Sequence, residues 1–481
     1  MDFLSDVTEP VIDPIAEESR PAPAASLRQN TDEIADLLMS ILSDGLDHPE
    51  LWPEIPGITQ GLPDLLAALG DRLDRTADKG EQLRLIILIG MYHAANGQVA
   101  TVIESLDPVA ARFSQSPLMQ GALFYLNSLL DPDNPKYDLQ GRVCRMPFVN
   151  LDVLERSAHL CCSSYLPRSI GNLQTQAWED VWNSDQARNI RASIHDGSYR
   201  YCNKMTCPSI QSARLSTAAD MAAQSDFWRT VIRDAAVRLN QGPQDVNLAY
   251  DRTCNLSCPS CRIETYAADS AQRAAFDLLQ ETKILPLLKG ATSVYVTGSG
   301  DPFASKNFRQ LLTALEDDAF AKLKFRIMTN AMLLTPRQWA SFPVLHGRTS
   351  TLRISVDAAT GPTHERLRRG ARWSTMLENM AFAGELLATG QVDLFGLAFT
   401  VQVENFAEMG DACDLAHRVG ASEIYFGQLT NWGTYSAADF QSRAVWLPSH
   451  PQHDQFVEAM QDARLRDPIV QLGEFGAFVK S

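Results

Sequence analysis

The chain has 481 residues, 45% of them hydrophobic and 21% charged, with a net charge of -16. At about 150 residues per domain, this length makes roughly three domains. The composition excludes a wholly disordered, collagen-like or small disulfide-stapled protein, and the acidic balance argues against general nucleic-acid binding.

The first residues, Met1-Asp2-Phe3-Leu4-Ser5-Asp6, lack the basic and apolar segments of a secretory signal. The longest apolar run, Leu85 to Tyr92, is interrupted by Gly90 and falls short of the ~18 residues of a membrane span. The expectation is a cytoplasmic protein without membrane association.

Residues 1–30 carry Pro10, Pro14, Pro21 and Pro23 among acids and alanines and read as a disordered tail. From Thr31, Ile34, Leu37, Leu38, Ile41 and Leu42 repeat with helical period. Further helices are predicted over 62–76, 80–96 and 99–113, with Gly97 closing the second. Together they make a helical N-terminal domain over 31–135, ending in the linker Asp131-Pro132-Asp133-Asn134-Pro135. Residues 141–215 hold five cysteines in a loop-rich stretch, followed by an alanine-rich helix over 216–239.

From Val246 short β-branched runs alternate with helical stretches. Strands are predicted over 246–252, 292–297, 324–329, 351–357, 394–402 and 423–429, and helices over 269–288, 305–317, 336–341, 363–388 and 405–418. Six βα units imply an α/β fold with a parallel sheet over 243–440. An open partial barrel and a doubly wound sheet both fit this pattern. Residues 441–481, with Pro448, Pro451 and Pro468, read as an irregular C-terminal extension.

The nine cysteines are too odd in number and spacing for a pure disulfide framework. Cys254, Cys258 and Cys261 follow the first strand of the series with CxxxCxxC spacing. Three thiolates on one loop hold three corners of a cubane iron–sulfur cluster, whereas a structural zinc normally takes four protein ligands. The loop also lies at the C-terminal end of a βα strand, where such folds place their sites.

In these residues the chain resembles the radical S-adenosylmethionine (SAM) superfamily. The resemblance implies a partial (βα)6 barrel. It also implies a [4Fe–4S] cluster whose open iron is chelated by SAM, and reductive cleavage to a 5′-deoxyadenosyl radical that abstracts hydrogen from a substrate. The segment Thr297-Gly298-Ser299-Gly300-Asp301-Pro302 resembles the family's Gly-Gly-Glu-Pro stretch, with Ser299 and Asp301 in place of Gly and Glu. Gly298, Gly300 and Asp301 are thus candidate SAM contacts. Ser355 and Asp357 at the fourth strand resemble the family's ribose- and carboxylate-contacting position. Asn330, ending the third strand, and Gln402, ending the fifth, are further candidates. Ser260 stands where many members have an aromatic residue.

The second cysteine group runs Cys144-Arg145-Met146-Pro147-Phe148, Cys161-Cys162, Ile170-Gly171-Asn172, Trp182-Asn183-Ser184, Cys202 and Cys207. This order resembles the SPASM domain, an auxiliary-cluster module that usually follows the radical domain and here precedes it. The resemblance implies one auxiliary [4Fe–4S] cluster on Cys144, Cys161, Cys202 and Cys207, with Cys162 as the alternative to Cys161. A four-cysteine zinc site satisfies the same spacing. The expected substrate is a peptide or protein, with a sugar or other small molecule as the alternative. The electron donor implied is one such as flavodoxin or ferredoxin. A reading of another class is a non-catalytic zinc-binding scaffold.

Cys413 reads as a core thiol. Trp432 reads as packing or a substrate contact. Arg366, Arg368, Arg369 and Arg372 read as a solvated helix end.

Overall fold

The structure, a computed structural model, describes residues 63–113 and 116–479 together with Ala35, Leu38 and Met39. The tail expected at 1–30 lies outside the described residues. Of the helix expected from Ile34 to Leu42, Ala35, Leu38 and Met39 are described, as helical and buried. Among the described residues no helix is long and apolar enough to cross a membrane. The chain divides into two compact units, residues 1–102 and 103–481.

In the first unit, α1 (Pro63–Arg75) and α2 (Lys79–Ala95) form a helical hairpin. Asp78 starts α2 by accepting the Glu81 N–H at 2.6 Å, and Arg72 pairs with Glu81 at 2.8 Å across the turn. Gly97 follows α2 at φ +84°, the left-handed position that commonly ends a helix. Helix α3 (Val99–Arg112) spans the division, and α4 (Pro117–Leu130) belongs to the second unit.

The second unit holds the cysteine-rich region and the sheet. Strand β1 (Arg142–Val143) precedes β2 (Asn150–Leu154) and β3 (Ala158–His159). Helices α5 (Trp178–Trp182) and α6 (Asp185–His195) follow. The Trp-Asn-Ser phrase has a clear physical task there. Trp182 Nε1 donates to Gln241 O at 2.8 Å. The Asn183 amide donates to Leu239 O and accepts from Leu239 N, each at 2.9 Å. Ser184 caps α6 by accepting the Ala187 N–H at 3.3 Å. Arg191, fully buried, lies 4.4 Å over the Trp182 ring and donates to the carbonyls of Pro147, Val237 and Trp182 at 2.8–2.9 Å.

Strand β4 (Ser216–Thr217) pairs with β1. The helix expected over 216–239 is two helices, α7 (Ala218–Gln224) and α8 (Asp226–Arg233). Ser225 separates them because its extended backbone caps α8, its hydroxyl accepting the Trp228 N–H at 3.3 Å.

The six predicted strands are all present as β5 (Asp245–Ala249), β6 (Ser293–Val296), β7 (Lys324–Thr329), β8 (Thr349–Ser355), β9 (Phe395–Val401) and β10 (Glu423–Gln428). They alternate with α9 (Ser270–Leu279), α10 (Lys306–Ala314), α11 (Pro336–Ala340), α12 (Gly361–Leu367), α13 (Trp373–Ala388) and α14 (Met409–Arg418). The helix expected over 363–388 is thus two helices, parted by a loop in which Gly370 takes φ +98°.

The strands pair in sequential order, β5 to β10, all parallel. The order has no reversal of the kind that marks a doubly wound sheet. The sheet is also larger than the six-strand pattern. Strand β2 of the cysteine-rich region pairs parallel to β5, with β3 beyond it, and β11 (Val470–Gln471) pairs parallel to β10. The segment after 441 is therefore not merely irregular. It carries α15 (His453–Ala459) and β11, and buries Trp446, Phe456 and Phe475. Tyr165 then donates to Glu474 Oε1 at 3.3 Å. This bond links the region that enters the sheet at β2 to the segment that leaves it at β11, on opposite edges.

Strand residues alternate between two faces. Leu248, Val294, Phe325, Ile327, Leu352, Ile354, Leu397 and Ile424 are in the core, while the residues between them line the other face.

Candidate active site

The first cysteine loop is rooted by Asp251, buried just after β5. Its carboxylate accepts from Thr253 N at 2.9 Å, Thr253 Oγ1 at 2.7 Å and Ser305 Oγ at 2.5 Å. Cys254 N donates to Tyr266 O at 2.9 Å and closes the far side of the loop. The segment after α12 holds it from above. Ser257 N donates to Arg369 O at 3.0 Å, and Arg369 Nε donates to Ser257 Oγ at 3.0 Å. Leu256, Cys258 and Ala371 form a small apolar cluster with Cys254, Cys261 and Met332 against it.

The three thiols are thus gathered at the C-terminal end of β5, and polar groups face them. Arg262 Nη2 donates to Cys261 Sγ at 3.4 Å, while its Nη1 donates to Arg252 O at 2.7 Å. Leu256 N and Asn330 Nδ2 each donate to Cys254 Sγ at 3.5 Å. Arg368 Nη1 reaches Cys258 Sγ at 3.9 Å. Burial pushes the Cys254 and Cys258 thiols up from their ordinary pKa, and Arg262 and Arg368 respectively pull them back. Arginines beside thiols favour the thiolate, the form that ligates metal.

Among the described residues, no three His, Cys, Asp or Glu side chains converge closely enough to share one metal ion.

The loop after β6 packs directly under the cysteines. Asp301 N donates to Thr253 O at 2.9 Å. Gly300 takes φ +79°, and a Cβ there would lie 2.6 Å from Thr253 O. A Cβ on Gly298 would meet the Asn247 amide at 2.9 Å.

Asp301, a candidate SAM contact by its sequence, is fully buried with both oxygens in use. It accepts from Phe303 N at 3.0 Å, Ala304 N at 3.3 Å, Thr329 Oγ1 at 2.7 Å and Asn330 N at 2.9 Å. Its carboxylate aligns the loop and positions Asn330. Asp357 is likewise engaged: it accepts the Thr400 N–H at 2.7 Å and forms an ion pair with Arg368 at 2.8 Å. Ser355 Oγ remains half-buried on the same face and approaches Met328 Sδ at 3.4 Å. Gln402 is buried, its N–H held by Asn405 Oδ1 at 2.8 Å.

Arg368 departs from the expected solvated helix end. Its side chain is 15% exposed, because Asp357 draws it under the loop. Neither Arg262 nor Arg368 stands out by residue type. The only signals were the position of Arg262 directly after the third cysteine and the 11-residue separation of Arg368 from Asp357. Trp432 is 57% exposed, on the loop after β10, and Cys413 is a buried thiol donating to Met409 O at 3.4 Å.

The second cysteine group forms its own cluster of thiols. Burial first, then Cys207, pushes Cys144 up to about 12. Burial also raises Cys161 and Cys202 well above the ordinary range, with Cys144 and Cys207 adding to each. Burial raises Cys162 and Cys207 too, opposed by backbone N–H groups of Ser164 and Tyr165 at the first and of Ser209 and Ile210 at the second. Cys144 and Cys207 thus lie close enough to act on both Cys161 and Cys202, and Cys162 also acts on Cys161.

Residues 144–208 match the family model of SPASM, an iron–sulfur cluster-binding domain. No curated protein sequence matches the chain. Among solved structures, Streptococcus suis SuiB bound to S-adenosylmethionine is similar at 16% identity and a TM-score of 0.33, covering 48% of this chain and 47% of that one. The chain thus spans about half the length of that protein. SuiB bound to its precursor peptide SuiA is similar at 14% identity and a TM-score of 0.34, covering 65% and 68%. Native anSMEcpe with bound AdoMet and Cp18Cys peptide is similar at 17% identity and a TM-score of 0.28, covering 40% and 55%. The chain carries a SPASM-like iron–sulfur cluster-binding region at residues 144–208, joined through β2 to a large parallel sheet with a second cysteine loop.

Proposed function

We propose that the chain is a radical SAM enzyme acting on a peptide or protein, built on a partial (βα)6 barrel. The observation that carries this reading is the gathering of Cys254, Cys258 and Cys261 at the end of β5, with the Gly298–Asp301 loop packed beneath them. These cysteines hold a [4Fe–4S] cluster and leave one iron for SAM. Cys144, Cys161, Cys202 and Cys207 hold an auxiliary cluster with no open iron. When bound, the catalytic cluster supplies the electron that splits SAM, and the resulting radical takes a hydrogen atom from substrate.

The chain's own residues prepare that site. Arg262 and Arg368 place positive charge beside the thiolates and offset the accumulation of negative charge there. Asp301 holds the loop and Asn330 in fixed geometry, so the backbone of Gly298 to Gly300 is the surface offered to SAM. Ser355 and Asn330 offer polar contacts from the neighbouring strand ends.

Metal content of the anaerobically reconstituted chain tests the ligand assignment. Two clusters give about eight irons and eight sulfides per chain. Two zinc ions per chain and no sulfide would instead identify a metal-binding scaffold.

A further inference from the structure

We propose that the inward face of the sheet binds a carboxylate of the substrate through Arg326. This deepens the proposed function and rests on it. The strand register sets one level of residues across four strands. Asp152 on β2 stands opposite Asn247 on β5, Asn247 opposite Tyr295 on β6, and Tyr295 opposite Arg326 on β7. Their strand neighbours Val153, Leu248, Val294 and Phe325 are buried in the core, so the row lies on the opposite face, with Ser355.

Arg326 is exposed on that face, and its guanidinium rests 5.1 Å from the centre of the Tyr295 ring. Among the described residues no carboxylate lies within ion-pair distance of it. The other cations of this part of the sheet are occupied: Arg353 pairs with Glu423, and Lys324 with Asp393 at 3.6 Å. Asp152 on the same level is buried and held by Asn150 Nδ2 at 2.9 Å, and it feels Arg326 through space without forming an ion pair.

One level of the sheet therefore presents an exposed guanidinium fork resting on the Tyr295 ring. The fork matches a carboxylate, which an acidic peptide residue and a small dicarboxylate both supply, and the test below separates the two. Asn330, which reaches Cys254, lies four residues beyond Arg326. At 3.3 Å per residue that is about 13 Å, so the carboxylate would anchor the substrate well below the cysteine loop.

The test uses the full chain reconstituted with iron and sulfide, in the presence of SAM. Fluorescence anisotropy is measured with a labelled pool of short peptides carrying a central Glu, with the same pool carrying Gln, and with glutarate as competitor. The parent is expected to bind the Glu pool about tenfold more tightly than the Gln pool. Arg326→Gln should abolish that preference and Arg326→Lys should retain part of it. Glutarate that competes in the parent but not in Arg326→Gln, without a peptide preference, would assign the same carboxylate site to a small molecule. A parent that binds neither carboxylate, or an Arg326→Gln variant that keeps the preference, overturns the proposal. Iron content and SAM binding are read on the same samples. Their loss in the parent would sink the radical SAM reading alone, while their presence without carboxylate preference would sink the Arg326 assignment alone.

Discussion

Arg368 Nε lies 2.8 Å from Asp357 Oδ2, with side-chain exposures of 15% and 5%, and the same guanidinium reaches Cys258 Sγ at 3.9 Å. One buried ion pair therefore joins the end of β8 to a thiol of the cysteine loop. Asp357 sits at φ +54°, a left-handed position to which Asp is better suited than most residues.

Removing one partner of a buried pair leaves the other charge uncompensated. Arg368→Met should cost about 3–5 kcal/mol of stability, measured by denaturant unfolding. In the reconstituted protein it should also lower the midpoint potential of the catalytic cluster, by roughly 60 mV, the one-electron equivalent of a tenfold change. Arg368→Lys should restore most of the potential. An unchanged potential in folded Arg368→Met would restrict the residue to a structural part.

Gly300 and Gly298 should respond differently to alanine. At Gly300 the new Cβ meets backbone, 2.6 Å from Thr253 O, at φ +79°. The left-handed conformation alone costs about 1–2 kcal/mol, and the clash moves the loop away from the cysteines. Gly300→Ala should lower the melting temperature and abolish SAM binding in calorimetry. Gly298→Ala meets only the Asn247 side chain, which can shift, so SAM binding should weaken without being lost.

The adjacent cysteines give a direct comparison. Cys161→Ser should remove the auxiliary cluster and leave about four irons per chain, while Cys162→Ser should keep about eight. Equal iron loss in both variants would contradict the assignment of Cys161 over Cys162 as the ligand.

His364 is fully buried, with Nδ1 donating to Val356 O at 2.7 Å. Burial lowers its pKa from the ordinary 6.5, and Arg368 adds to the effect. The folded state therefore binds fewer protons at this group than the unfolded chain. Its contribution is present above about pH 6.5 and is lost as pH falls from there through the folded pKa. His364→Phe should flatten the fall of melting temperature below pH 6.5. A parallel pH profile would show that the ring is already charged in the fold.

The six strands were legible because apolar residues recur at alternate positions in them, as in Ser293–Val296 and Lys324–Thr329, but their order was not, since a partial barrel and a doubly wound sheet are written with the same alternation of strands and helices. Both cysteine groups were legible because spacing on a loop survives without knowledge of packing. Strand β2 was not, since Asn150–Leu154 carries one β-branched residue within a cysteine-rich stretch. The task of Asp301 was also hidden. Its residue type suits a ligand ammonium, and only the turn that brings Phe303 N, Thr329 and Asn330 to its oxygens assigns it to the loop. Arg368 looked like one of four surface arginines because a run of charges does not reveal which one a neighbouring strand draws inward.

The central claim is that Cys254, Cys258 and Cys261 hold a cluster that cleaves SAM. The most direct measurement is formation of 5′-deoxyadenosine by the anaerobically reconstituted chain given SAM and a strong reductant, beside Cys258→Ala. The account predicts product from the parent and none from the variant. A parent whose cluster is present and reduced, yet which neither binds SAM nor forms 5′-deoxyadenosine, would contradict it.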